Sequence, residues 1–128
     1  MRKIVVKERT FLWNYHFDDY DYQNDSEIVI KDNERKGKLI IGFHTEEFGY
    51  GYCPFNKGLG AIKDGEETTI NLNRPKFIAE ILAYVLDTRL HDNGFDGTHE
   101  YKDGLEILNE LGYIFDYKLD GSEFSRPG

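Results

Sequence analysis

A single cysteine, Cys53, occurs in the 128 residues, so a disulfide cannot form within the chain. Small secreted domains commonly depend on several disulfides to compensate for a small core, and this sequence does not resemble that class. Proteins with a lone cysteine are typical of reducing compartments. The sequence therefore predicts a cytoplasmic protein.

Long apolar runs are missing as well. Near the N-terminus, the apolar residues 4–6 are flanked by charged residues. That run is too short for the core of a signal peptide or for a membrane span. We therefore expect no secretory leader and no membrane association.

The chain has fewer basic than acidic residues. Sixteen lysines and arginines stand against 24 aspartates and glutamates, which gives a net charge of −8. Nucleic acids and anionic membranes are bound through clustered lysine and arginine, so neither is expected as a partner. The charge favours a basic protein partner, and the alternative is that it serves only solubility.

The common catalytic and nucleotide-binding motifs are also absent, namely HExxH, CxxC, GxSxG, GxGxxG and the P-loop. The remaining catalytic candidates are Cys53, His16 and His44, since a thiol and an imidazole can meet in space without a local motif. A lone cysteine on a strand is more often a small buried residue. The sequence favours a binding protein over an enzyme.

Strand patterns fill the first half of the chain. In residues 10–17, the aromatic residues Phe11, Trp13, Tyr15 and Phe17 occupy every second position, as expected for one face of a half-buried strand. Similar patterns predict further strands and a turn at 32–37, whereas 54–66 reads as a glycine-rich loop. The predicted strands cover residues 4–7, 10–17, 27–31, 38–44, 47–53, 68–72 and 113–117.

Two helices are predicted in the second half. Apolar residues spaced by three and four predict a long helix over 74–90, with Asn73 as N-cap and Pro75 in the first turn. A short helix over 103–111 ends at Gly112, which is expected to be left-handed.

Together these patterns predict an α+β fold. It has a mainly antiparallel sheet of about five to seven strands, one long and one short helix packed on one face, and a closing C-terminal strand. Residues 1–117 are predicted to form a single domain. Residues 118–128 are predicted to be a disordered tail or a cloning-derived scar, because GSEFSRPG is what successive restriction sites encode.

Residues 14–25, NYHFDDYDYQND, carry aspartate and tyrosine without any basic residue. Aspartate pairs with lysine or arginine, and exposed tyrosine adds contact area at little entropic cost. The sequence therefore predicts a partner-binding surface, whose members are Asp18, Asp19, Tyr20, Asp21, Tyr22 and Asp25. The alternative is a solvated loop.

A second motif lies between the two predicted helices. Asp92, Asp96, Thr98 and Asp103 occupy positions one, five, seven and twelve of a twelve-residue window with Gly97 at position six. The window resembles the calcium loop of the EF-hand family, which implies these four residues as calcium ligands. It departs from that pattern at position three, which is Gly94, and at position twelve, which is aspartate instead of glutamate. We expect no cofactor, with calcium as the alternative.

Two functions remain open. The first is a small acidic intracellular protein that binds a basic protein as an inhibitor or adaptor, in the manner of immunity proteins. The second is a small enzyme or ligand-binding protein with a pocket between the aromatic sheet face and the loop at 54–66.

Overall fold

The computed structural model describes residues 1–17, 25–44, 55 and 58–115. In this part of the chain the fold is α+β, with eight strands in two sheets and two α-helices. The predicted fold class is confirmed. The predicted strand at 47–53 and the tail at 118–128 lie outside the described residues.

The larger sheet has five strands in the order β1-β2-β3-β4-β7. Neighbouring strands are antiparallel except β4 and β7, which run parallel. Its strands are β1 (Arg2–Val6), β2 (Arg9–Phe17), β3 (Asp25–Asp32), β4 (Gly37–His44) and β7 (Gly97–Tyr101).

The smaller sheet has three antiparallel strands in the order β6-β5-β8. These strands are β5 (Leu59–Lys63), β6 (Glu66–Ile70) and β8 (Ile114–Phe115). Strand β5 falls inside the segment predicted to be a loop, and β7 falls in the connection between the helices. The loop prediction is therefore wrong for residues 59–63 and 66, which pair in an antiparallel hairpin around the turn at 64–65. Strand β7 was not predicted.

The long helix begins with α1 (Pro75–Val85) and continues as a π-helical turn, Leu86–Leu90. Pro75 lies in the first turn as predicted, but the N-cap is Arg74 and not Asn73. The side chain of Asn71 instead accepts a hydrogen bond from the Asn73 N–H. Such a local bond offers the backbone a turn before the helix begins.

The short helix is α2 (Gly104–Glu110). Gly112 follows it with a φ of +104°, as predicted for a left-handed cap. Its buried positions are Gly104, Ile107 and Leu108. At Gly104 the helix approaches Phe43 of β4 too closely for a larger residue.

One hydrophobic core joins both sheets and both helices. The inner face of the larger sheet contributes alternate residues of β1 to β4, as the pleat requires. Its fully or nearly fully buried members include Ile4, Phe11, Trp13, Ile28, Ile30, Leu39, Ile41 and Phe43. The helices pack on this face through residues that include Phe77, Ile78, Ile81, Leu82, Val85 and Leu108.

A buried ion pair fastens the sheet to the segment before β7. The carboxylate of Asp32 is fully buried and accepts hydrogen bonds from both terminal nitrogens of Arg9, each at 2.9 Å. It also accepts one from the Phe95 N–H at 3.0 Å. Paired, multiply bonded geometry of this kind is what a buried charge requires.

Candidate functional site

The predicted Asp/Tyr surface lies almost wholly outside the described residues. Residues 18–22 are not among them, and Asp25 is the first residue of β3. The neighbouring strand ends, Phe17 of β2 and His44 of β4, lie at the same end of the sheet, because Asp25 is directly opposite His44. The surface stays a prediction.

The catalytic candidates are not brought into one site by the described structure. His16 is exposed on β2 opposite Glu27, and His44 is exposed at the end of β4. Strand β3 separates the two strands. Cys53 lies outside the described residues, so a dyad with either histidine is also still a prediction.

The residues at the ligand positions of the calcium-loop resemblance contact different groups in the structure. Asp92 Oδ2 accepts a hydrogen bond from Arg35 at 2.8 Å, and the guanidinium holds the pKa of Asp92 below its ordinary value. Asp103 Oδ2 accepts one from Arg89 at 3.1 Å. Thr98 lies in β7, and the Asp96 carbonyl oxygen is 2.9 Å from Nε2 of His99.

Strand β7 therefore replaces the continuous loop that the EF-hand resemblance implies. Within the described ranges, no three His, Cys, Asp or Glu side chains are grouped to hold a metal ion. Calcium binding by this segment stays a prediction. The same part of the chain contains no helix long and apolar enough to cross a membrane.

A polar cleft of about 430 Å³ lies beside the β5–β6 hairpin. Its volume is within the range of small-ligand sites. The segment at 54–66 contributes to it, as the second sequence hypothesis expects, but the aromatic residues of β2 do not. The lining residues are Lys63, Asp64, Glu66, Glu67, Thr68, Lys76 and Tyr113.

The hairpin fixes the positions of the acidic residues around this cleft. Asp64 and Gly65 form its two-residue turn with φ values of +55° and +78°. Two positive φ values match the right-handed twist of a hairpin, and Asp-Gly is a favoured sequence for such a turn. Asp64, Glu66 and Glu67 are exposed, and none forms an ion pair with a described residue. We call these three residues the acidic hairpin.

The single lysine of the hairpin is already neutralised. Lys63 Nζ donates to Glu80 Oε2, and the Tyr113 hydroxyl donates to Glu80 Oε1 at 2.5 Å. The ammonium also lies 4.6 Å from the centre of the Tyr113 ring, within the range of a cation–π contact. Lys63 therefore compensates Glu80 and not the acidic hairpin.

Tyr113 is nearly fully buried at 5% exposure. Burial raises its pKa above the ordinary value, and the hydrogen bond to Glu80 and the charges of Glu80 and Asp64 raise it further. The phenol is therefore a hydrogen-bond donor at neutral pH and not a general base.

We expect Tyr113→Phe to lower the free energy of unfolding by about 1.5 to 3 kcal/mol at neutral pH, because one hydrogen bond to a charged acceptor is lost. Since the folded-state pKa of Tyr113 is raised, its contribution is present below the unfolded pKa of 10.0 and is lost as the pH rises further. Urea unfolding at pH 7 and above pH 10 measures both effects.

The control for this change is Tyr101→Phe. Tyr101 is half-buried, and its hydroxyl has no hydrogen-bond partner in the described structure. Its replacement is expected to change stability by less than about 0.5 kcal/mol. Equal stability of the Tyr113→Phe and wild-type proteins at both pH values would contradict the assigned contact.

The sequence prediction missed the Lys63, Glu80 and Tyr113 contacts. The Asp-Gly pair at 64–65 is a usable hairpin signal, since β-type residues flank it. No comparable signal joins Glu80 to Tyr113, which are 33 residues apart. Their contact depends on how α1 packs against the smaller sheet.

Comparison with family models, with curated proteins and with solved structures gave no match. The fold and the cleft define a small α+β protein with an acidic, preorganised hairpin.

Proposed function

We propose that this chain is a small acidic binding protein whose partner is a basic protein, and that the acidic hairpin forms part of the contact surface. The strongest support for this proposal is the exposure of the carboxylates of Asp64, Glu66 and Glu67. They are three exposed carboxylates within four positions, without a cationic partner in the described part of the chain.

Such a group attracts lysine and arginine side chains in two ways. Uncompensated charge of one sign accelerates the encounter with an oppositely charged surface and selects against acidic proteins. The two-residue turn also fixes the backbone before binding, so less conformational entropy is lost on association. The neighbouring cleft has room for the end of a basic side chain.

The Asp/Tyr surface predicted from sequence is a second contact surface in this proposal. Asp18, Asp19, Asp21 and Asp25 add negative charge, while Tyr20 and Tyr22 add apolar contact area. Binding of a basic enzyme by these surfaces would make the chain an inhibitor, and binding without loss of activity would make it an adaptor.

The cleft itself favours a second candidate, a small-ligand-binding protein or enzyme. Its volume suits a small molecule, and its lining is polar and charged. The ligand would be a small polar cation, because the acidic residues exceed the two lysines among its lining residues.

The experiment compares capture of proteins from a lysate of the source cells by three immobilised proteins. These are the wild type, the hairpin variant Asp64→Asn/Glu66→Gln/Glu67→Gln, and the control variant Glu8→Gln/Asp96→Asn/Glu106→Gln. The control residues are exposed and lack ion pairs with described residues. Both variants change the net charge from −8 to −5.

We expect one basic protein to be captured by the wild type and the control, and its amount to fall by about tenfold or more with the hairpin variant. Raising the salt from low to about 0.15 M should weaken capture. Equal capture by both variants would contradict the hairpin assignment. Absence of a captured protein, together with a higher melting temperature in the presence of a linear polyamine, would favour the small-ligand alternative.

A further inference from the structure

The larger sheet has an outer face that points away from the core. The described helices pack on the opposite face. At the centre of the outer face, Val29 and Ile40 lie directly opposite each other on adjacent strands and are half-buried. Leu12 of β2, which is also half-buried, lies opposite Lys31. Val5 on the edge strand is 66% exposed. Apolar residues in this position suit a contact surface.

Positive charge is concentrated on one side of this apolar centre. Lys31 of β3 is directly opposite Lys38 of β4, and both are exposed. Neither forms an ion pair with a described residue. Like charges directly opposite each other destabilise a sheet, so the pair favours an acidic partner from outside the chain.

The other side of the apolar centre carries Glu27, and the exposed Glu100 of the edge strand β7 lies level with Ile40 on the same face. Glu27 is on the same strand as Lys31 and the same face, and no cation among the described residues contacts it. Val29 lies midway, two residues from each. Lys31 and Glu27 are therefore placed symmetrically about Val29 along β3.

We propose that the outer face binds the same face of a second copy of this chain, with a twofold axis that passes over Val29 of β3. The axis lies in the plane of the interface and perpendicular to the strands. A rotation about it places Lys31 of each copy over Glu27 of the other, which forms two equivalent ion pairs. The same rotation packs Val29 and Ile40 on their symmetry mates.

The dimensions of the face are compatible with this contact. Strands about 4.8 Å apart, of five to nine residues at about 3.4 Å each, give a face on the order of 600 Å². Stable interfaces bury about 800 Å² per partner. The sheet face with its rim residues approaches that area, so a dimer of modest affinity is the expected form.

Sedimentation equilibrium of the purified protein tests the proposal. Wild-type protein should show a monomer–dimer equilibrium that weakens with added salt. Lys31→Glu or Glu27→Lys alone should raise the dissociation constant by about 100-fold, since each creates two like-charge contacts. The double variant should recover most of the wild-type affinity. The matched control is Lys36→Glu, in the turn at 32–37, which should leave the dissociation constant of the dimer unchanged.

The double variant makes the test specific. Residues 27 and 31 of one strand are about 13 Å apart, too far for a direct pair within a chain, so recovery reports a contact between copies. Circular dichroism confirms that each variant is folded. A wild-type protein that is monomeric at every concentration would contradict the proposal. The outer face would then be a candidate surface for a different partner. A dimer unaffected by either single change, or not recovered in the double variant, also contradicts it.

Discussion

Replacing Asp32 with alanine is expected to lower the free energy of unfolding by about 3 to 5 kcal/mol, which is the typical cost of removing one partner from a buried ion pair. The side chain of Asp32 has no exposed area, and that of Arg9 is only 16% exposed. Alanine would leave the guanidinium without its carboxylate and the Phe95 N–H without its acceptor.

The same carboxylate gives stability a dependence on acid pH. Burial by itself raises the pKa of Asp32, but the hydrogen bonds from Arg9 and from the N–H groups of Phe95 and Arg35 outweigh it and lower the pKa below 3.8. The contribution is therefore present above the unfolded pKa and is lost as the pH falls through the folded one. The Asp32→Ala variant should not show this loss of stability at acid pH.

Urea unfolding at pH 7 and in a series below pH 4 measures both effects. The control is Glu34→Ala, because Glu34 also contacts Arg9 but its side chain is 69% exposed. We expect this control to change stability by less than about 1 kcal/mol. A wild-type-like stability of the Asp32 variant would show that the buried pair does not hold the segment before β7.

Replacing Gly37 with alanine is expected to lower the free energy of unfolding by about 3 kcal/mol, which is the upper end of the usual range for overpacking. A Cβ at Gly37 would lie 1.9 Å from the carbonyl oxygen of Phe95 and 2.6 Å from its carbonyl carbon. Both are backbone atoms, so relief requires β4 to move away from the segment that precedes β7. That movement would also stretch the bond from the Phe95 N–H to Asp32.

Gly42→Ala provides the matched control on the same strand. The nearest atom to a Cβ there is 3.8 Å away, which is an ordinary contact. We expect little change in the melting temperature for this variant and a fall of roughly 10 °C or more for Gly37→Ala. Similar melting temperatures for the two variants would contradict the close approach of β4 to Phe95.

The patterns that predicted most of the fold are local ones. The alternation around Phe11 and Trp13 and the spacing of Phe77, Ile81 and Val85 reflect burial against one core, so one sequence sufficed to find β2 and α1. Strand β7 was missed because it is a short edge strand with mainly polar residues. Its pairing with β4 depends on the close approach at Gly37 and on the Asp32 anchor, which involve distant parts of the chain.

Only the charge of the candidate site could be predicted from the sequence. The acidic residues after Lys63 are visible in the sequence, but the neutralisation of that lysine by Glu80 is a tertiary contact. The arginines that contact Asp92 and Asp103 lie 57 and 14 residues away, so the calcium-loop spacing gave no sign of them. Spacing predicts ligands only where local geometry brings them together.

Carbodiimide coupling in a lysate of the source cells tests the central claim most directly, because it joins carboxylates to lysines that are already in contact. Trypsin releases residues 64–76 as one peptide whose only carboxylates are Asp64, Glu66 and Glu67. The acidic-hairpin account predicts that this peptide is recovered linked to lysines of one basic protein. Links from that protein only to carboxylates elsewhere in the chain, or no link to another protein, would contradict it.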